Sequence, residues 1–445
     1  MAEFTPQQRA VLFSTAKHNL VNTVGKTGKS QILTRIYLDR QVTPGDYKAI
    51  YVCPNSLVTS KVLEQLQRIT KADWSSQLVG TLAEISYKLL LKYYREMSYN
   101  KPPRLVPDTA VAEDRMQAKK SALAIYPDTT NQEFYSQWNK EFLGRMRTRN
   151  LASPRSLTLE AINIFETQFH HGLSYVSTLV ADDVHDLGCD ELLALSVIQS
   201  RMERSYIAGN TNYAINDRMQ ELDQENWITL SESNGLKLFP LNTCFNLSPN
   251  QGCFLHQLAA FNSKKLHDPT VVFTGDQNSF VFYEVGIPDV ASTVEVIKQI
   301  EIQLQVGIRG RTMGVIMRNV DDAKKMASEL NKPAVVLWDK NQLWHKLEIP
   351  SKGIFVTTPY EAPYLNLDYV VIPNSIVGYW PYTKERNLEN CRRLFMRAIG
   401  SARLGVACLV PDTSTGILAS PFLSEGCNPK LTTKTISFDL MAKTA

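Results

Sequence analysis

An apolar run that ends in a glycine-lysine loop and passes straight into a helical pattern constrains this chain more than any other feature. The stretch Leu20-Val21-Asn22-Thr23-Val24-Gly25-Lys26-Thr27-Gly28-Lys29-Ser30 closes a predicted strand over His18 to Val24 and opens a predicted helix at Lys29. Such a unit needs parallel partner strands and covering helices to bury both of its faces. Its chemistry is equally restrictive. Backbone amides at a helix N-terminus attract anions, a lysine placed like Lys29 reaches terminal phosphates, and a hydroxyl placed like Ser30 holds Mg2+. Gly25, Lys26, Thr27 and Gly28 complete the cradle; a chance Gly-Lys-Ser in a strand-to-helix turn is the bland alternative.

The rest of the chain alternates apolar runs with helical patterns, which argues for parallel α/β architecture. At 445 residues the chain exceeds one ordinary core, so two or three domains are expected. The first α/β unit is read over residues 1–86 and 168–234, opening with a capping box at Thr5-Pro6-Gln7-Gln8. A strand over Ala49 to Cys53 and sheet-like runs at Tyr175 to Ala181 and Ser205 to Ala208 belong to it. Residues 87–167 read as a helical insertion rich in Lys, Arg and aromatics. The second unit, residues 235–445, has apolar strands at Thr312 to Met317, Ile354 to Thr358, Tyr369 to Pro373 and Val406 to Val410, with a helix over Val320 to Leu330.

Composition excludes several classes. Hydrophobic residues make up 44% and charged residues 21%, which argues against disorder. The net charge is only +4, so any nucleic-acid surface must be a local patch. Seven cysteines with no C-x-x-C pair suggest neither a disulfide framework nor a zinc site. With a polar start and no run of 18 apolar residues, the expected setting is cytoplasmic, with no membrane partner.

A nucleotide site of this type needs carboxylates on a second strand, one to hold Mg2+ and one to activate the attacking water. The run Ser177-Thr178-Leu179-Val180-Ala181-Asp182-Asp183-Val184-His185-Asp186 supplies them, with Asp182 on the metal side and Asp183 as the base. Paired acids at a strand end also suit an exposed turn or a helix cap.

With these residues in place, the order of features resembles the UvrD/Rep/PcrA group of superfamily 1 DNA helicases over nearly the whole chain. The resemblance implies two RecA-like domains, ATP and Mg2+ as cofactors, and single-stranded or partly duplex DNA as partner. Phe4-Thr5-Pro6-Gln7-Gln8 is similar to the adenine-reading segment, which implies that Gln8 contacts the base. Tyr51 to Ser56 and Gly80 to Ala83 fall where the family contacts single strands, which implies DNA-binding roles for Asn55 and Thr81. Trp380, in Gly378-Tyr379-Trp380-Pro381, takes the place of an aromatic-proline loop with the same role. Asp182 to Asp186 resembles D-E-x-Q-D, with Asp183 for Glu and His185 for Gln.

Departures from the pattern concentrate in the second domain's share of the ATP site. Leu241 to Leu247 fits N-Y-R-S, yet Asn246 stands where the γ-phosphate arginine belongs. Tyr213 replaces the phosphate-sensing Gln, Asn366 replaces a Glu, and in Arg392-Arg393-Leu394-Phe395-Met396-Arg397-Ala398-Ile399-Gly400-Ser401-Ala402-Arg403 Ser401 replaces the second arginine. Arg397 lies one helical turn before Ser401 and is the candidate catalytic substitute. An arginine finger contributes roughly 10³ to 10⁵ in rate, so weak or partner-dependent hydrolysis is expected. A pseudo-helicase scaffold is the rival reading. By analogy the compact second domain suits a subunit acting beside a nuclease or other effector.

Overall fold

Short β-branched and aromatic runs bounded by Gly, Pro, Asn and Asp, each followed by a helical pattern, bury both faces in helix-covered parallel sheets. The computed structural model describes residues 4–23, 27–41, 48–96, 101–129, 132–167, 176–209, 236–245, 247–262, 272–274, 281–285, 290–306, 308–336, 349–381, 387–411, 416–426 and 434–437. Within them that arrangement occurs twice, giving an α/β protein with two parallel sheets.

The first lobe runs α1 (Pro6–Leu12), β1 (His18–Thr23), α2 (Lys29–Arg40), β2 (Ala49–Val52), α3 (Ser56–Thr70), β3 (Val79–Gly80) and α4 (Leu82–Glu96). Next come β4 (Arg104–Leu105), α5 (Ala112–Ile125), α6 (Gln132–Thr148), β5 (Leu151–Ala152) and α7 (Pro154–Thr167). The chain then returns to the sheet through β6 (Thr178–Ala181), α8 (Cys189–Arg201), β7 (Arg204–Gly209) and β8 (Leu236–Leu241). Every pairing in the six-stranded sheet is parallel, in the order β3-β2-β6-β7-β1-β8. One strand, β7, separates β1, which leads to Lys29, from the acid-bearing strand β6. Both strands end on the same edge, so the loops that follow them converge.

Strand alternation divides the core. Val21, Tyr51 and Val180 face one layer, while Leu20, Ile50, Leu179 and Ile207 face the other. Helices α5 and α6 enclose a smaller core of Val111, Ala118, Phe142, Leu143 and Met146, to which Leu159 of α7 contributes.

The second lobe contains β9 (Thr243–Cys244), α9 (Pro249–Ala260), β10 (Val272–Phe273), β11 (Val281–Val285), α10 (Val290–Leu304), β12 (Thr312–Ile316) and α11 (Val320–Leu330). It continues through β13 (Ala334–Val335), β14 (Gly353–Thr357), β15 (Leu367–Ile372), α12 (Leu388–Gly400), β16 (Ala402–Pro411), α13 (Pro421–Gly426) and β17 (Lys434–Ser437). Its seven strands are ordered β13-β14-β12-β15-β16-β11-β17, again all parallel. Helix α11 has the limits its caps dictate, with the Asn319 side chain accepting from the Asp322 amide and Asn331 in the left-handed conformation.

The expected break between the lobes at residue 235 needs moving. Strand β8 pairs with β1 from His18↔Leu236 to Thr23↔Leu241, so the first sheet runs on to residue 241. Phe239 and Leu241 are buried there, and Pro240 is tolerated because β8 is an edge strand. Among the described residues no helix is long and apolar enough to cross a membrane.

Candidate functional site

Gly28 sets the geometry at which the glycine-lysine loop enters α2. Its φ of +76° is left-handed, a conformation that costs glycine little, and it forms the N-terminal cap of α2. Lys29 and Ser30 then occupy the first turn. The Lys29 ammonium sits 3.0 Å from Asp182 Oδ1 and 2.6 Å from Asp183 Oδ1, and Ser30 Oγ donates to Asp182 Oδ2 at 2.5 Å. The structure thus joins four of the sequence-selected residues at the ends of β1 and β6. Gly25 and Lys26 lie outside the described residues.

Charge balance holds this group together. Burial alone would lower the Lys29 ammonium, but attraction from Asp182 and Asp183 and hydrogen bonds to both raise it instead. Burial raises the Asp182 carboxyl, opposed by Lys29. Asp182 is fully buried and takes a further contact from the Tyr51 hydroxyl at 3.4 Å. Asp183 has φ +49°, a left-handed backbone in which aspartate is enriched among side-chain-bearing residues.

Helix α1 borders the same loop. Thr5 and Gln8 form the expected capping box, and Gln8 Nε2 donates to the Thr27 carbonyl at 2.9 Å. A Cβ placed on Gly28 would lie 2.8 Å from Gln8 Nε2 and 3.8 Å from Phe245 Cε2. Phe245 therefore brings a partly exposed ring beside the loop and the glutamine. Sequence reasoning named Asn246 in this segment and passed over Phe245, although its place in the N-Y-R-S match carried the signal. Asn246 and Tyr213 lie outside the described residues.

Arg397 comes to this edge from the other lobe. Its Nη1 and Nη2 reach Asp186 Oδ1 and Oδ2 at 2.5 and 3.0 Å, while Nε and Nη2 donate to the Pro359 and Tyr360 carbonyls, each within 3.1 Å. The Tyr364 hydroxyl also donates to Asp186, and the Lys61 ammonium donates to the Tyr364 carbonyl. Burial would raise the Asp186 carboxyl, but Arg397 and then His185 hold it below its usual value. Burial lowers Lys61 to about 8. His185 stands between the two acid clusters, 3.8 Å from Asp183 and 3.9 Å from Asp186. A polar chain Lys29–Asp183–His185–Asp186–Arg397 thus links the lobes. Ser401 is buried, its hydroxyl donating to the Arg397 carbonyl at 2.5 Å.

The residues selected for DNA contact divide. Asn55 caps α3 by accepting from the Val58 amide, and Thr81 Oγ1 accepts from the Glu84 amide at the start of α4. Both stand at the ends of the neighbouring strands β2 and β3. The expectation for Trp380 is corrected. Its ring is 0% exposed, tilted against Phe395 at 5.3 Å and covered by the Arg318 guanidinium at 5.7 Å, so it offers no face to a base.

Comparison of the sequence with known protein families returned no match, and comparison with curated proteins returned none. Among solved structures, the chain is similar to S. cerevisiae Dbp5 bound to RNA and ADP BeF3. The identity is 12%, with 97% of this chain and 89% of that chain covered, at a TM-score of 0.47.

Proposed function

We propose that this chain is an ATP-binding, helicase-like protein of the UvrD/Rep/PcrA type that acts on DNA and hydrolyses ATP weakly or only with a partner. The observation that carries the reading is the contact of Lys29 with Asp182 and Asp183, with Ser30 bonded to Asp182. The Lys29 ammonium stands in the first turn of α2, where a terminal phosphate would compete with the two acids for it. Ser30 and Asp182 offer the kind of oxygen donors that would hold Mg2+. Bound Mg2+ supplies charge neutralisation at the phosphates. Gln8 offers one donor and one acceptor to a base edge, and Phe245 a stacking face. Asn55 and Thr81 are suited to backbone phosphates through the amide ends of α3 and α4.

Slow turnover is supported by the second lobe. The Arg397 guanidinium is engaged by Asp186 and two carbonyls, so reaching a phosphate requires it to leave a buried ion pair. That same engagement favours a second reading, a catalytically inactive scaffold that binds DNA or a partner protein such as a nuclease. Phosphate release with and without single-stranded DNA separates the two. DNA-stimulated release that disappears in Asp183→Ala supports an ATPase; the absence of release, with ATP binding that depends on Lys29, supports the scaffold.

A further inference from the structure

The helical insertion carries 13 Lys and Arg against 9 Asp and Glu between residues 87 and 167, a surplus equal to the +4 of the whole chain. Three of these cations gather round one ring. The Arg115 guanidinium carbon, the Lys119 ammonium and the Arg155 guanidinium carbon lie 5.5, 5.6 and 5.6 Å from the centre of the Trp138 ring. Arg115 and Lys119 are one turn apart on α5, Arg155 begins α7, and Trp138 stands on α6 between them. The Trp138 indole N–H donates to the Arg115 carbonyl at 3.1 Å, and Phe134, 1% exposed, packs at 5.9 Å, so the ring is fixed. Arg155 is balanced by Asp190 at 2.7 Å. Lys119 is exposed, and Tyr135, 49% exposed, places its ring 6.2 Å from Trp138.

Cations drawn to one aromatic ring repel each other, and an anion laid across them relieves that repulsion. An exposed aromatic beside them adds a stacking face. Phosphates and bases alternating at short spacing match both features, whereas an acidic peptide would use only the charges. The geometry points to a single-stranded nucleic-acid contact surface on the insertion, formed by Arg115, Lys119 and Tyr135 on a Trp138 platform. This surface is separate from the nucleotide cleft and does not depend on ATP being bound or hydrolysed.

The test is fluorescence anisotropy of a labelled oligothymidylate with the full chain, without nucleotide, over a salt series. Lys119→Gln lowers the slope of log affinity against log salt by about 0.7, the value for one single-strand phosphate contact. Tyr135→Ala weakens binding about fivefold or more, as loss of one stacked base does. Both variants keep the parent's melting temperature and its binding of a fluorescent ATP analogue. Unchanged affinity and slope in both variants overturn the surface. So does failure of the parent to bind the oligonucleotide, and in that case the ATP reading stands or falls by the analogue alone. Polyglutamate that competes with the oligonucleotide and shows the same dependence on both residues also overturns it, in favour of an acidic protein partner.

Discussion

At the scale of single residues, the Lys29 site is a charge balance with little margin. Removing one partner of a buried ion pair leaves an uncompensated charge, at a cost of about 3 kcal/mol or more. Lys29→Ala leaves Asp182 and Asp183 facing each other, so unfolding by urea at neutral pH is expected to show a loss of that size, partly restored by adding Asp182→Asn. Phe245→Ala is expected to weaken ATP-analogue binding roughly tenfold, in line with the loss of one stacked base, with little effect on stability because the ring is partly exposed. Trp380 belongs to the opposite category. Trp380→Ala is expected to cost about 3 to 5 kcal/mol through the cavity it opens, measured by chemical denaturation, and to leave oligonucleotide affinity per folded molecule unchanged.

At the scale of elements, helix α12 and the short turn Val184–Asp186 form the link between lobes. Arg397→Met is expected to loosen it, visible as a larger radius of gyration in small-angle scattering and faster proteolysis between the lobes. Acid acts in the same direction. Burial lowers His185 below its ordinary 6.5, so as pH falls past 6.5 the unfolded chain takes up a proton that the folded chain refuses, and stability drops. Asp186, held below its ordinary 3.8, keeps its contribution above that value and loses it as pH falls through its folded value. A stability-against-pH series in which His185→Gln reduces the loss beginning near pH 6.5 checks the first of these steps. Sequence patterning was informative about elements with local causes. The strand before the loop, the capping box at Thr5 and helix α11 follow from nearest neighbours and caps. Patterning did not reveal partners set by tertiary contact. Strand β8 shows weak alternation and belongs to the first sheet only through pairing with β1, and Tyr364 meets both Asp186 and Lys61 across the cleft with no signal in spacing. Trp380 was assigned to DNA by its place in an aromatic-proline loop, while burial against Phe395 decides its role.

At the scale of the molecule, two parallel sheets meet at an edge where one lobe brings a lysine, a hydroxyl and paired acids, and the other an arginine already engaged. The first lobe's chemistry was legible because each residue follows a strand directly; the state of Arg397 was not, because it depends on Asp186, 211 positions away in sequence. Lys29 and its acids are proposed to form an ATP site. Equilibrium binding of a fluorescent ATP analogue with Mg2+ tests it most directly, comparing the parent chain with Lys29→Ala and Ser30→Ala. Saturable binding by the parent is expected, with loss of about 100-fold or more in Lys29→Ala, where the cation is gone, and loss of the Mg2+ dependence in Ser30→Ala. Absence of binding by the folded parent chain, or equal affinity in the parent and Lys29→Ala, would contradict it.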